Sequence, residues 1–181
     1  FLADEPRRTA TGGIDLTGLT VRGSPAYRDF IRDMGGTAVV MGPGDVYSAL
    51  ERGVINGAGF SINDIRTRGL EKFLKYRIDP PFSFATISLV MNHDKWDALS
   101  PEAQAVLDKQ AEEWERESRQ YWLDQAEQEK AELAKLGMQT VTLEGEQAKA
   151  YQAKFLKGPW DRMMNNRNIK IDVKKLKELA Y

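Results

Sequence analysis

LTGLTVRGSPAYRDFIRDMGGTAVVMGPGDVYSALERGVINGAGFS, from Leu16 to Ser61, decides the fold, and it reads as strand, helix, strand, helix, strand. Leu19-Thr20-Val21-Arg22 is short, apolar and β-prone, and the turn Asp15-Leu16-Thr17-Gly18 leads into it. Gly23 frees the backbone, Ser24 suits an N-cap, and Pro25 suits a first helical position, where its missing N–H costs nothing. Tyr27, Phe30, Ile31 and Met34 then recur at helical spacing until Gly35-Gly36. Ala38-Val39-Val40-Met41 is wholly apolar, as expected of a buried parallel strand. Gly42-Pro43-Gly44 turns into a helix from Asp45 to Arg52, with Val46, Ala49 and Leu50 inward, and Gly53 ends it. Val54 to Gly59 reads as the third strand, running out into a loop. The alternation predicts an α/β fold with a parallel sheet and right-handed crossovers. Ligands in such sheets sit outside the carboxyl ends of the strands, where Arg22 and Phe60 fall.

Outward from this stretch the signals weaken. Pro6 to Gly13 is polar and reads as a linker. Ser61 to Leu74 reads as a short irregular helix burying Ile65, Leu70, Phe73 and Leu74. Asp79-Pro80-Pro81 is a stiff turn, because each proline fixes φ and restricts its predecessor. Phe82 to Met91 reads as a strand, and Asn92-His93-Asp94 turns out of it. Ser100-Pro101-Glu102 opens the longest element, a helix to Leu136 uninterrupted by Gly or Pro. At ~1.5 Å per residue it is roughly 54 Å long. Ala103, Val106, Leu107, Ala111, Trp114, Tyr121, Trp122, Ala126, Leu133 and Leu136 form its apolar stripe, diluted by Ser118 and Glu129. A coiled-coil arm needs sustained heptads, whereas a strut packed across two lobes tolerates such breaks, so the strut is the favoured reading. Met138 to Leu143 reads as a strand, Glu146 to Leu156 as a helix broken by Gly158-Pro159, and Asp172 as the cap of a terminal helix.

Composition removes several classes of function. Among 181 residues the net charge is −1, so no basic excess points to nucleic acid or anionic lipid. There is no cysteine, hence no thiolate metal site, disulfide or cysteine nucleophile. No apolar run is long enough to span a bilayer. The chain lacks a P-loop, an H-E-x-x-H and a G-x-S-x-G. Gly57-Ala58-Gly59 has two glycines of a dinucleotide fingerprint, but Ile62 stands in place of the third. His93, the only histidine, lies beside Asp94 in a turn and reads as a solvated surface residue. No cofactor is implied.

Arg22 stands apart. A guanidinium fork at a strand end, beside the helix start expected at Ser24-Pro25, suits a carboxylate. A structural ion pair or a place on the sheet rim explains the same spacing equally well.

Residues 15–22 (Asp-Leu-Thr-Gly-Leu-Thr-Val-Arg), Met41 with the run from Asp45 to Gly57, and Trp96 to Gln104 resemble the solute-binding proteins of TRAP transporters, the DctP-like family. The resemblance covers roughly Leu16 to Leu143. It implies a periplasmic-binding-protein-like lobe with a parallel sheet plus a long lobe-bridging helix. Residues 1–85 would form the second ligand-binding lobe. Residues 86–137 would be a strand and the bridging helix, belonging partly to the first lobe, and 138–181 a strand and helices packing back. The arginine matching Arg22 holds the ligand carboxylate in that family, which implies a site of Arg22, Ser24, Gly59, Phe60 and Ser61. Where the family often reads Asp-Gly-Gln-Glu-Asn-Pro this chain has Asn56-Gly57-Ala58-Gly59-Phe60-Ser61. Phe60 in place of the ligand-contacting Asn resembles an aromatic variant, with a ligand flatter or less polar than a sialic acid or a C4-dicarboxylate. The partners implied are a small organic acid and the membrane permease subunits of a TRAP transporter. The location implied is periplasmic, and no catalysis is expected. Family members carry most of a first lobe before the region matching Phe1, so a piece of a longer protein is the expectation. A helical scaffold dimerising through the long helix is the alternative, and an α/β enzyme lacking its catalytic half is a more distant one.

Overall fold

The computed structural model describes residues 1–84 and 87–179. Strands β3 (Thr20–Gly23), β4 (Thr37–Val40) and β5 (Gly57–Ala58) form a parallel sheet in the order β4-β3-β5. Val21 pairs with Ala38 on one side and Gly57 on the other, and Arg22 with Val39 and Ala58. A second parallel pair joins β6 (Tyr76–Asp79) to β7 (Gln139–Thr142). Leu2 bridges Gly57 and Tyr76, antiparallel to both, and so joins the two sheets edge to edge. Gly57 permits this approach, since a Cβ there would stand 2.5 Å from Leu2 Cδ2 and 2.7 Å from Phe1 O.

Alternate strand residues feed two apolar cores, as the two-residue period of a strand requires. Leu2, Val21 and Val141 enter one, with Phe30, Ile31 and Met34 of α1 (Arg28–Asp33) and Tyr151 of α5 (Gly145–Asn165). Its centre is aromatic: Phe30 lies 4.6 Å from Phe82 and 5.2 Å from Tyr151, and Phe82 lies 5.2 Å from Phe155. Ala58 enters the other, with Val46, Ala49 and Leu50 of α2 (Val46–Glu51), then Ile65, Leu70 and Leu74.

Several local expectations change. Ser24 does not cap a helix: Tyr27 N bonds Ser24 O (3.0 Å) in a turn, and α1 begins only at Arg28. The turn sets the Tyr27 ring edge-on to that of Phe82, with centroids 5.0 Å apart. The strand Ala38–Met41 lies at the sheet edge, so Val40 is exposed rather than buried. Val54–Gly59 pairs as a strand only over Gly57–Ala58. The stretch Pro6 to Gly13 carries β1 (Arg7–Arg8), which pairs with β2 (Ile14–Asp15). Between Ser61 and Leu74 two single 3₁₀ turns stand in place of one helix; Ile65, Leu70 and Leu74 are buried and Phe73 is partly so. Residues 82–84 and 87–91 form no strand. Ile87, Leu89 and Val90 are all over nine-tenths exposed, with no strand beside them among the described residues; Ala85 and Thr86 lie outside the described residues. Gly158-Pro159 does not break α5, because packing on both sides holds it: Phe155 sits in the aromatic cluster and Arg162 bonds Asp29 of α1.

The long helix, α4 (Pro101–Lys135), starts as its sequence dictates, with Ser100 Oγ accepting from Ala103 N (3.2 Å) and Pro101 in the first turn. Of its apolar stripe only Leu133 is buried; Trp114, Tyr121 and Trp122 are at least half exposed. Its anchor is polar as well as apolar. Arg66 Nε meets both carboxylate oxygens of Glu129 at 2.9 Å, and Arg66 Nη2 lies 2.8 Å from Oε2. Before α4 comes α3 (His93–Asp97), with His93 exposed, and after α5 comes α6 (Val173–Leu179), with Asp172 accepting from Lys175 N (3.0 Å).

Thermal melts check two consequences. Leu2→Ala should lower stability by about 2–5 kcal/mol, the range for a buried Leu-to-Ala cavity. Glu129→Gln should lower the melting temperature clearly more than Glu146→Gln, since Glu146 and its partner Lys149 are both at least three-quarters exposed.

Candidate ligand-binding site

Three strand ends converge on one guanidinium. Arg22 lies near the end of β3 and is only 7% exposed. Met41 follows β4, and its carbonyl accepts from Arg22 Nη2 (3.1 Å) and Nε (3.3 Å). Gly59 follows β5, and its carbonyl accepts from Arg22 Nη1 (2.9 Å). The ladder continues past β5, since Gly59 N bonds Arg22 O (2.7 Å). The Phe60 ring then stands under the guanidinium, 4.6 Å from Cζ to centroid. Arg68, from the loop between the 3₁₀ turns, faces the same ring at 5.3 Å.

Among the described residues no carboxylate pairs with Arg22. Three of its five N–H groups go to carbonyls, which leaves one on each terminal nitrogen. Burial pushes the Arg22 pKa below its ordinary value; the Tyr27 phenol opposes this and the Arg68 charge adds to it. An arginine still carries its charge at neutral pH under such a shift. The site is therefore a desolvated cation held by neutral acceptors.

Gly59 is required by its neighbours. A Cβ there would lie 2.9 Å from Tyr27 Cδ2, and that ring is fixed by Phe82 and Phe155. Of the residues expected at the site, Arg22, Gly59 and Phe60 come together. Ser24 and Ser61 follow at the same sheet end, Ser24 half-buried and Ser61 exposed. Met41, Tyr27 and Arg68 were not singled out for the site from sequence. Met41 contributes only a carbonyl, which any residue supplies. Arg68 sits in Arg66-Thr67-Arg68, where nothing in the spacing separates it from Arg66, which pairs with Glu129 instead. A cleft of about 360 Å³ lies elsewhere, between α1 and α5, lined by Asp29, Arg32, Lys157 and Asp161 among others.

A mixed α/β body with parallel strands and a long helix leading away is a periplasmic-binding-protein-like architecture. The chain belongs to the bacterial extracellular solute-binding proteins, family 7 (DctP), whose sequence model matches residues 14–166. A curated relative, a solute-binding protein of Chromohalobacter salexigens, is 28% identical over 143 residues, 78% of this chain and 42% of the relative. The fold is similar to a TRAP periplasmic solute binding protein from Chromohalobacter salexigens with bound D-glucuronate. Its TM-score is 0.76 at 22% identity, over 98% of this chain and 58% of that one. It is also similar to a marine metagenome TRAP solute binding protein specific for aromatic acid ligands, in complex with metahydroxyphenylacetate. Here the TM-score is 0.72 at 20% identity, over 91% of this chain and 54% of that one. The chain spans about half the length of these relatives. Among the described residues no helix is long and apolar enough to cross a membrane.

Gly59→Ala should destabilise the fold by about 1–3 kcal/mol, the range for overpacking. Gly44→Ala, whose Cβ would meet nothing within 4 Å, is the matched control in a denaturant titration.

Proposed function

We propose that this chain is the second lobe and bridging helix of an extracytoplasmic receptor of a TRAP-type transporter. The receptor binds a small organic acid through an Arg22–carboxylate salt bridge and hands it to membrane permease subunits. It works in the periplasm and performs no chemistry. One observation carries the reading: Arg22 is buried without an acidic partner among the described residues, with an N–H left on each terminal nitrogen. D-glucuronate and metahydroxyphenylacetate, bound by the two similar structures, are a sugar acid and an aromatic acid that both carry a carboxylate. That common group is what a guanidinium fork recognises.

Ser24, Gly59, Phe60 and Ser61 complete this lobe's share of the site, and the ring of Phe60 favours a ligand with a flat face. Residues 1–85 are assigned to the second lobe, 86–137 to the segment passing partly into the first, and 138–181 to the return. The family is one of extracellular solute-binding proteins, which supports binding rather than turnover.

The test is calorimetric titration of the complete two-lobed protein. Arg22→Lys keeps the charge but loses the planar fork. It should weaken acid binding by about 2–5 kcal/mol, the range for disrupting a buried charge pair, which is roughly 30-fold to several thousand-fold. Phe60→Ala should cause a smaller loss and change which acids bind best. Parent-like affinity in Arg22→Lys, or a fall in melting temperature that accounts for all the lost binding, would return Arg22 to a structural role.

A further inference from the structure

Phe60 carries two guanidinium groups, not one. Arg22 and Arg68 lie 4.6 and 5.3 Å from its ring centroid. An aromatic face attracts a cation, but two cations drawn to one ring repel each other, and an anion bound at either of them relieves the repulsion. The other nearby cations are otherwise engaged. Arg66 is tied to Glu129 by a bidentate pair, and Lys72 stands over Tyr47 at 5.7 Å. Arg68 has one loose acidic contact, Nε to Asp64 Oδ1 at 3.5 Å, with both side chains about two-fifths exposed. Its charge acts on Arg22, whose pKa it helps to lower.

We propose that Arg68 is a specificity-determining residue: its guanidinium, presented on Phe60, selects ligands bearing a second anionic group beyond the carboxylate that Arg22 takes. This rests on the carboxylate-receptor reading above. Arg68 remains partly hydrated, so its effect is a preference between ligands and not an anchor. Asp64 competes with the ligand for it.

The experiment compares acids matched in size but differing by one charge, on the complete two-lobed protein: 3-hydroxyphenylacetate against 3-carboxyphenylacetate, and D-glucuronate against D-glucarate. Dissociation constants are measured at low and at physiological salt. The dianion should bind tighter than its monoanionic partner by roughly two- to fivefold, the scale of one partly exposed ion pair. The advantage should shrink with salt. Arg68→Gln should collapse the dianion-to-monoanion ratio towards one, and Arg68→Lys should restore part of it. Asp64→Asn should widen the ratio, because it removes the competing carboxylate. A purely structural Arg68–Asp64 pair predicts otherwise: both variants would lower the melting temperature and leave the ratio unchanged. That outcome, or a parent protein with no preference for the dianion, overturns the proposal while leaving the carboxylate reading intact if Arg22→Lys still weakens binding as stated above. Failure of a folded parent protein to bind any of the four acids overturns both.

Discussion

Leu2 is hydrogen-bonded along one edge of its backbone to the strand after Leu74, and its neighbours are bonded along the other edge to the strand after Ile55. Leu2 N donates to Tyr76 O (2.8 Å), and Leu2 O accepts from Lys75 N (2.9 Å) and Tyr76 N (3.0 Å). Phe1 O accepts from Ala58 N (2.8 Å), and Ala3 N donates to Asn56 O (2.8 Å). Without these bonds β5 and β6 would face each other as bare edges, each a row of unpaired donors and acceptors. The same residues divide the two cores, Phe1 packing on one side and Leu2 on the other. The edge of β5 that faces away from β3, leading into Gly59 and Phe60, is thus covered by this single inserted segment.

The electrostatics of Arg22 turn on a comparison of magnitudes. Burying one charge costs several kcal/mol even after relaxation. Hydrogen bonds to a charged group return about 1.5–3 kcal/mol each, and a desolvated cation–π contact returns ~2 kcal/mol. Two carbonyl acceptors and one ring therefore offset most of the cost without neutralising the charge. A carboxylate partner from the chain itself would have held the arginine more firmly and cancelled its field. The site is thus stabilised by groups that leave its electrostatic potential free to act on something outside the chain.

What the sequence made legible follows from where short-range rules dominate. The helix–strand alternation from Leu19 to Ala58, the inward set Val46, Ala49 and Leu50, and the start of α4 at Ser100-Pro101 are local, and each is present in the structure. Arg22 and Phe60 were legible as partners because both follow from the rule that parallel strands end at one edge. The strand β6 was not, since Tyr-Arg-Ile-Asp becomes a strand only through pairing with β7, which lies far along the chain. Phe82 to Met91 failed in the opposite direction: none of its described residues lies in a strand, and Phe82 serves the aromatic cluster instead. Pro159 misled because the packing of α5 on α1 outweighs one lost backbone hydrogen bond. The place of Arg68 depends on the path of an irregular loop, for which no periodicity exists.

The attachment of α4 has a mechanical consequence. The helix is fixed to the body near Glu129 and Leu133, while its earlier turns stand clear of it. From Pro101 to Glu129 the helix runs for roughly 42 Å. A lever of that length amplifies small rotations: a tilt of about 5° at the fixed end carries the far end roughly 4 Å. The fulcrum pairs with Arg66, in the same loop that presents Arg68 to Phe60. A sub-ångström adjustment of that loop is thus geared up into a displacement the size of a side chain at the opposite end of the helix.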